Sequence, residues 1–352
     1  MYKKVSIVIV LVMMLAACKA AANTAPKYLV CQVSDTGGID DKSFNATAWK
    51  GVTDAMAQFG VDGKFLESKD ASDYAKNLQA FLDEKCDLII TVGFALADDT
   101  KASAIANPDQ KYSIVDYNYG TDAASIPNVL AQSYQTDQAA FLVGYVSAGV
   151  SKTGVVGTFG GANYSTVSIF MDGFARGVAY YNEKHSTTVK VLGWDTATQT
   201  GTFTDDFVDL SKAKTIAEQM IANNADIIMP VGGSIGLGAA QAITEATTPA
   251  KPIYLIGVDS DWYNFASDYK AIILTSVKKN MDTVTTSIIK SAMDGTFKGG
   301  LYVGTLANNG VEMAPFHDLE SVVPASLKTE LDQVKADILS GAITLNPAFK
   351  LQ

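Results

Sequence analysis

Tyr28-Leu-Val-Cys-Gln-Val-Ser-Asp-Thr-Gly-Gly-Ile-Asp-Asp-Lys-Ser-Phe-Asn45 holds a short strand, a glycine turn and the start of a helix. The strand, Tyr28–Val33, is almost wholly apolar, so both of its faces are expected to be covered, as in a parallel sheet. Gly37 and Gly38 allow a tight turn, and Asp41 or Ser43 is placed to cap the helix that follows. Val52, Met56 and Phe59 recur at helical spacing and form the buried face of that helix.

The same unit recurs along the chain. Further apolar strands are expected at 64–67, 88–92, 112–115 and 129–132. A second series follows at 154–158, 188–192, 226–231, 254–258 and 272–276. Amphipathic stretches lie between them: Tyr74, Leu78, Phe81 and Leu82 share a helical face, as do Ile169, Phe170, Phe174, Val178 and Tyr181, and Val284, Ile288 and Met293. Short apolar strands alternating with helices imply an α/β fold with parallel sheets covered on both sides. Two runs split near residue 133 imply two doubly wound lobes. In such lobes ligands sit beyond the carboxyl ends of the strands, so the residues just after each strand carry the functional information.

Composition sets the outer bounds. The chain has 352 residues, 48% hydrophobic and 18% charged, with ample material for two cores. Its formal charge of −10 argues against nucleic acid as a partner and against polybasic membrane docking. The start of the chain points outside the cytoplasm. Lys3 and Lys4 precede an apolar run, Val5–Leu15, which ends in Leu15-Ala16-Ala17-Cys18. A basic start, an apolar core too short to span a bilayer, and small residues before a cysteine read as a lipoprotein signal peptide over 1–17. An ordinary signal peptide or a short transmembrane helix is the alternative. Cleavage would leave Cys18 as the acylated first residue, with residues 18–26 as a tether to the cell membrane on its periplasmic or cell-surface face. Cys31 and Cys86 adjoin buried strands and read as small core thiols, with a disulfide left open. No metal-ligand spacing is present, and the only histidines are His185 and His317.

The strand-end residues supply the candidate site. Asp35, Phe44 and Asn45 follow the first strand; an aromatic face and an amide at one helix start suit a flat ring and its polar edge. The competing reading makes Asp35 and Asp41 turn and capping residues and Phe44 core. Asp116 ends the fourth strand. Gly232 and Gly233 follow Val231 in a loop that fits neither G-x-x-x-x-G-K-[ST] nor G-x-G-x-x-G, which argues against a nucleotide phosphate. Asp259 can accept two hydroxyl hydrogen bonds, as a ribose diol requires, and Lys278 or Lys279 can donate to the same diol.

Five ordered motifs resemble the basic membrane protein family, substrate-binding lipoproteins of ABC transporters, and within it the spirochaete purine nucleoside receptors. They are Asp35-Thr-Gly-Gly-Ile-Asp-Asp-Lys-Ser-Phe-Asn45, Gly173-Phe-Ala-Arg-Gly177, the Val231–Gly238 glycine loop, Ile256-Gly-Val-Asp-Ser-Asp261, and Leu274-Thr-Ser276 before Lys279. The resemblance implies the type I periplasmic binding protein fold, with three crossings between the lobes. The lobes would comprise 27–132 with 277–303 and 133–276 with 304–352. It implies that Asp35 and Asn45 bond a purine, Phe44 stacks on it, Asp259 and Lys279 hold the ribose, and Gly232 and Gly233 approach the ligand. A second stacking phenylalanine of these receptors is replaced here by Met229, whose sulfur packs well on an aromatic face; Phe203 is the other candidate. The function so implied is capture of purine nucleosides by a monomeric, non-enzymatic receptor that needs no cofactor and serves permease and ATPase subunits. A receptor for a sugar or autoinducer is the alternative.

Overall fold

The computed structural model describes residues 27–351. The expected signal peptide over 1–17, the lipidated Cys18 and the tether to residue 26 lie outside the described residues.

The first half of the chain runs β1 (Leu29–Ser34), α1 (Phe44–Phe59), β2 (Asp62–Leu66), α2 (Tyr74–Asp83), β3 (Leu88–Val92), α3 (Ala97–Ala106), β4 (Lys111–Val115) and β5 (Val129–Tyr134). The second runs α4 (Thr136–Val150), β6 (Val155–Gly160), α5 (Ser165–His185), β7 (Lys190–Leu192), a small β8 (Trp194–Asp195) and β9 (Thr200–Gly201) hairpin, α6 (Leu210–Ala222), β10 (Ile227–Val231), α7 (Ile235–Ala246), β11 (Tyr254–Asp259), the short α8 (Trp262–Phe265) and β12 (Ile273–Lys279). Then come α9 (Met281–Met293), β13 (Gly300–Gly304), β14 (Val311–Met313) and α10 (Ala325–Ser340).

Two six-stranded sheets result, ordered β2-β1-β3-β4-β5-β13 and β7-β6-β10-β11-β12-β14. Every pairing in them is parallel except β12 with β14. Both sheets therefore share one winding, with the strand order reversing between β1 and β3 and between β6 and β10. Parallel strands need covered faces, and β3 and β10 are buried at every position. The chain passes from the first sheet to the second after β5, back after β12, and across again after β13.

Two features were less visible in the sequence. Cys31 of β1 and Cys86, just before β3, are joined in a disulfide, where the sequence reading favoured free thiols. The adjacent, parallel strands bring the two Cα atoms to 6.0 Å, which permits the bond. The Gly173–Gly177 motif proves to be a packing device. A Cβ on Gly177 would lie 2.0 Å from the carbonyl oxygen of Phe141, and one on Gly173 2.6 Å from Asp137. Glycine is what lets the backbones of α4 and α5 touch.

Candidate functional site: the cleft between the sheets

The carboxyl ends of both sheets face one cavity, with about 700 Å³ of atom-free space including its open mouth.

The loop after β1 builds one wall. Asp41 caps α1: its carboxylate accepts from the backbone N–H groups of Ser43 and Asn45, each at 2.9 Å, and of Ala46 at 3.1 Å. Of the two capping candidates, the acid does the work. Burial pushes its carboxyl up to about 7 against the pull of those amides. With the turn fixed, Phe44 and Asn45 stand at the first turn of α1. Asn45 Nδ2 donates to Asp35 Oδ1 at 2.8 Å, and Gly37 N–H donates to the same oxygen at 3.0 Å. Asp35 is raised above the ordinary carboxylate range by burial, which these bonds oppose. Its second oxygen lies against Gly93, where a Cβ would approach to 2.8 Å.

The opposite wall comes from the second sheet. Asp259 ends β11 with φ +66°, and Asp116 follows directly on β4 of the first sheet with φ +65°. Left-handed backbone is uncommon outside glycine and concentrates at functional positions. Lys279, at the end of β12, is buried between them, 2.5 Å from Asp116 Oδ2 and 3.6 Å from Asp259 Oδ1. Burial alone would lower the lysine's pKa, but the two carboxylates outweigh it and hold the value above the usual one. Burial raises Asp259, opposed by Lys279 and by the Ser43 hydroxyl that donates to its Oδ2 at 3.1 Å. The ammonium also lies 5.0 Å from the Phe44 ring centroid and 5.2 Å from that of Phe170. Lys278 points the other way and pairs with Glu312 at 2.8 Å, as strand alternation requires.

Eight of the nine candidate residues line the cavity: Asp35, Phe44, Asn45, Asp116, Gly232, Gly233, Asp259 and Lys279. Met229 does not. It is fully buried in the core, two residues short of the end of β10, and only Val231 on that face reaches the opening. Phe203 is not in the lining either; its ring packs edge-on to Trp194 at 6.5 Å. The aromatic surface of the second wall comes from Phe207 and Phe170. Phe207 rests on the glycine loop, where a Cβ on Gly232 would come within 2.9 Å of its ring. Helical periodicity marked Phe170 only as core, and no pattern in the sequence marked Phe207.

Two acceptors stand out. Asp259 Oδ1 and Asn45 Oδ1 are buried and have no hydrogen-bond partner within the protein. Each costs free energy unless a donor reaches it. The histidines lie elsewhere: His185 pairs with Glu330 at 2.8 Å, and His317 with Asp261 at 2.9 Å. Among the described residues no cluster of His, Cys, Asp and Glu is arranged to hold a metal ion.

Residues 29–346 match the family described as ABC transporter substrate-binding protein PnrA-like, Bmp. The chain belongs to the Bmp family. It is 30% identical to basic membrane protein A of Borreliella burgdorferi, over 87% of this chain and 84% of that protein. It is 28% identical to the ABC transporter nucleoside-binding protein BmpA of Lactococcus lactis, over 89% and 87% of the two chains. A crystal structure of an ABC transporter solute-binding protein from Aeropyrum pernix superposes with TM-score 0.78 at 25% identity, covering 90% of this chain and 92% of that one. This Bmp protein is therefore an ABC transporter substrate-binding protein with the expected two-sheet fold, a role exercised outside the cytoplasm. Among the described residues no helix is long and apolar enough to cross a membrane. A disulfide suits such a compartment.

Proposed function

We propose that the cleft captures a purine nucleoside for uptake. The observation that carries this reading is the pair of buried acceptors that take no hydrogen bond from the protein, Asn45 Oδ1 on one wall and Asp259 Oδ1, beside the Lys279 ammonium, on the other, within a cavity faced by aromatic rings. A flat base with N–H donors suits Asn45 and Asp35 between Phe44 and Phe207. A vicinal diol suits Asp259, with Lys279 holding the acid in place. Phe207 takes the role that the sequence reading gave to Met229. Stacking supplies binding energy, and the buried acceptors supply specificity, because a ligand without donors leaves them desolvated. The nucleoside-binding name of the Lactococcus lactis relative supports the same ligand class.

The two lobes, one built on each sheet and exchanging chain after β5, β12 and β13, close over the ligand and present a joined surface to permease and ATPase subunits. The receptor acts as a monomer, held at the membrane by lipid on Cys18, and performs no chemistry on its cargo. Calorimetry with inosine, adenosine, guanosine, uridine, ribose and free purine base tests the reading. Purine nucleosides are expected to bind at least about tenfold more tightly than either fragment. Tight ribose binding without nucleoside binding would instead make this a sugar receptor. Release of free base on prolonged incubation would make it an enzyme.

A further inference from the structure

Beside Lys279 lies a second chamber, with about 510 Å³ of atom-free space including its opening to solvent. It shares Asp116, Thr166 and Lys279 with the cleft, so these side chains form a partition between two compartments. Its far wall is the segment Ala348–Leu351, which reaches it after α10. That wall is fixed at both ends. Gln135 Nε2 donates to the carbonyl of Phe349 at 3.0 Å, and Gln135 Oε1 accepts from Leu351 N–H at 2.7 Å. Asn346 Nδ2 donates to the buried Asp172 at 3.1 Å.

We infer that this chamber is a compartment of the ligand site for a short uncharged group on the 5′ carbon of the bound nucleoside. The inference rests on the nucleoside reading of the cleft. If Asp259 takes the 2′ and 3′ hydroxyls beside Lys279, the exocyclic 5′ carbon is the sugar's remaining point of extension, and on this inference it is directed past Asp116 and Thr166, which line both spaces. Its chemistry selects against charge. The Lys279 ammonium is already committed to Asp116 and Asp259, so it has no charge to spare for a phosphate. Lys350 is at the lining but exposed to solvent, and the rest of the surface mixes Ile169, Tyr134 and Phe349 with the hydroxyl side chains of Ser133, Ser165 and Thr166. A thioether or alkyl group fits such a surface; a phosphate dianion would meet the Asp116 carboxylate.

Calorimetry on the full protein tests this with adenosine, 5′-deoxy-5′-methylthioadenosine and adenosine 5′-monophosphate, and with the corresponding inosine series. The methylthio compound is expected within about tenfold of its parent, and the monophosphate at least about a hundredfold weaker. Phe349→Trp, which fills the chamber, is expected to weaken the methylthio compound about tenfold more than the parent. A wild-type protein that binds the parent but loses the methylthio compound a hundredfold, or that binds the monophosphate as well as the parent, overturns the inference and leaves the cleft reading intact. Absence of binding by every parent nucleoside overturns both. The wild-type series decides the matter even if the variant does not fold.

Discussion

Asp259 illustrates how a single residue can be tied to the ligand. Its left-handed backbone aims a buried carboxylate at the cavity, where one oxygen holds Ser43 and the other accepts no hydrogen bond and faces only the Lys279 ammonium, 3.6 Å away. Asp259→Asn keeps the shape and halves the accepting capacity, so nucleoside affinity is expected to fall at least about thirtyfold by calorimetry. Phe207→Ala should cost about tenfold or more, while Met229→Leu should change affinity less than about twofold. Equal losses at both positions would return the stacking role to β10. The contrast between these residues marks the limit of what was legible in the sequence. Residues such as Asp35, Asp116, Asp259 and Lys279 could be found because strand ends are readable from apolar runs, and this fold places strand ends at the cleft. Depth within a strand decides whether a residue reaches the opening, and at Met229 that distance is two residues. Phe207 sits in an irregular loop, where no period fixes the direction of a side chain.

Among the elements, α4 and α5 carry charge and contact that neither helix would choose alone. Asp137, in the first turn of α4, is pushed up to about 7 by burial, opposed by a bond from Gln135 at 3.1 Å. An unfolded aspartate titrates near 3.9, so the folded protein binds an extra proton between roughly pH 4 and 7. That contribution is complete below the unfolded value and is lost as pH rises through 7. Urea denaturation should therefore show this group weakening the fold from pH 5 to pH 8. Asp137→Asn should reduce that decline by on the order of 2–4 kcal/mol. Asp41 keeps part of the slope in the variant, because its carboxyl is also raised to about 7. The contact side is tested by Gly177→Ala, whose methyl would meet the Phe141 carbonyl; a loss of about 1–3 kcal/mol is expected. In the first sheet, the Cys31–Cys86 bond closes a separation of 55 residues. Replacing both cysteines with alanine should cost up to about 4 kcal/mol on the chain-entropy account. Sequence gave both cysteines a buried address but not their pairing, because neighbouring strands in a parallel sheet are set by topology and not by local pattern.

At the scale of the molecule, several bonds join the two sheets across the cleft. The single Ser43 hydroxyl proton is shared between Val258 O at 2.9 Å and Asp259 Oδ2 at 3.1 Å, Ser260 Oγ donates to Lys42 O at 3.2 Å, and Lys279 reaches Asp116. At the mouth, the rings of Phe94 and Tyr164 approach to 4.2 Å. Polar and aromatic contacts of this kind are suited to a two-state hinge, in which a ligand touching both walls tips the balance toward closure. Tyr164 isolates that effect, because it is 48% exposed and lies outside the cavity lining. An aromatic pair contributes about 0.5–1.5 kcal/mol, so Tyr164→Ala should speed nucleoside release roughly two- to tenfold. The association rate should change little, since ligand enters the open form, and affinity should fall by the same factor as release rises. Stopped-flow kinetics reads both rates. If release is unchanged while association slows, Tyr164 acts on entry, and closure must depend on the serine and lysine contacts deeper in the cleft.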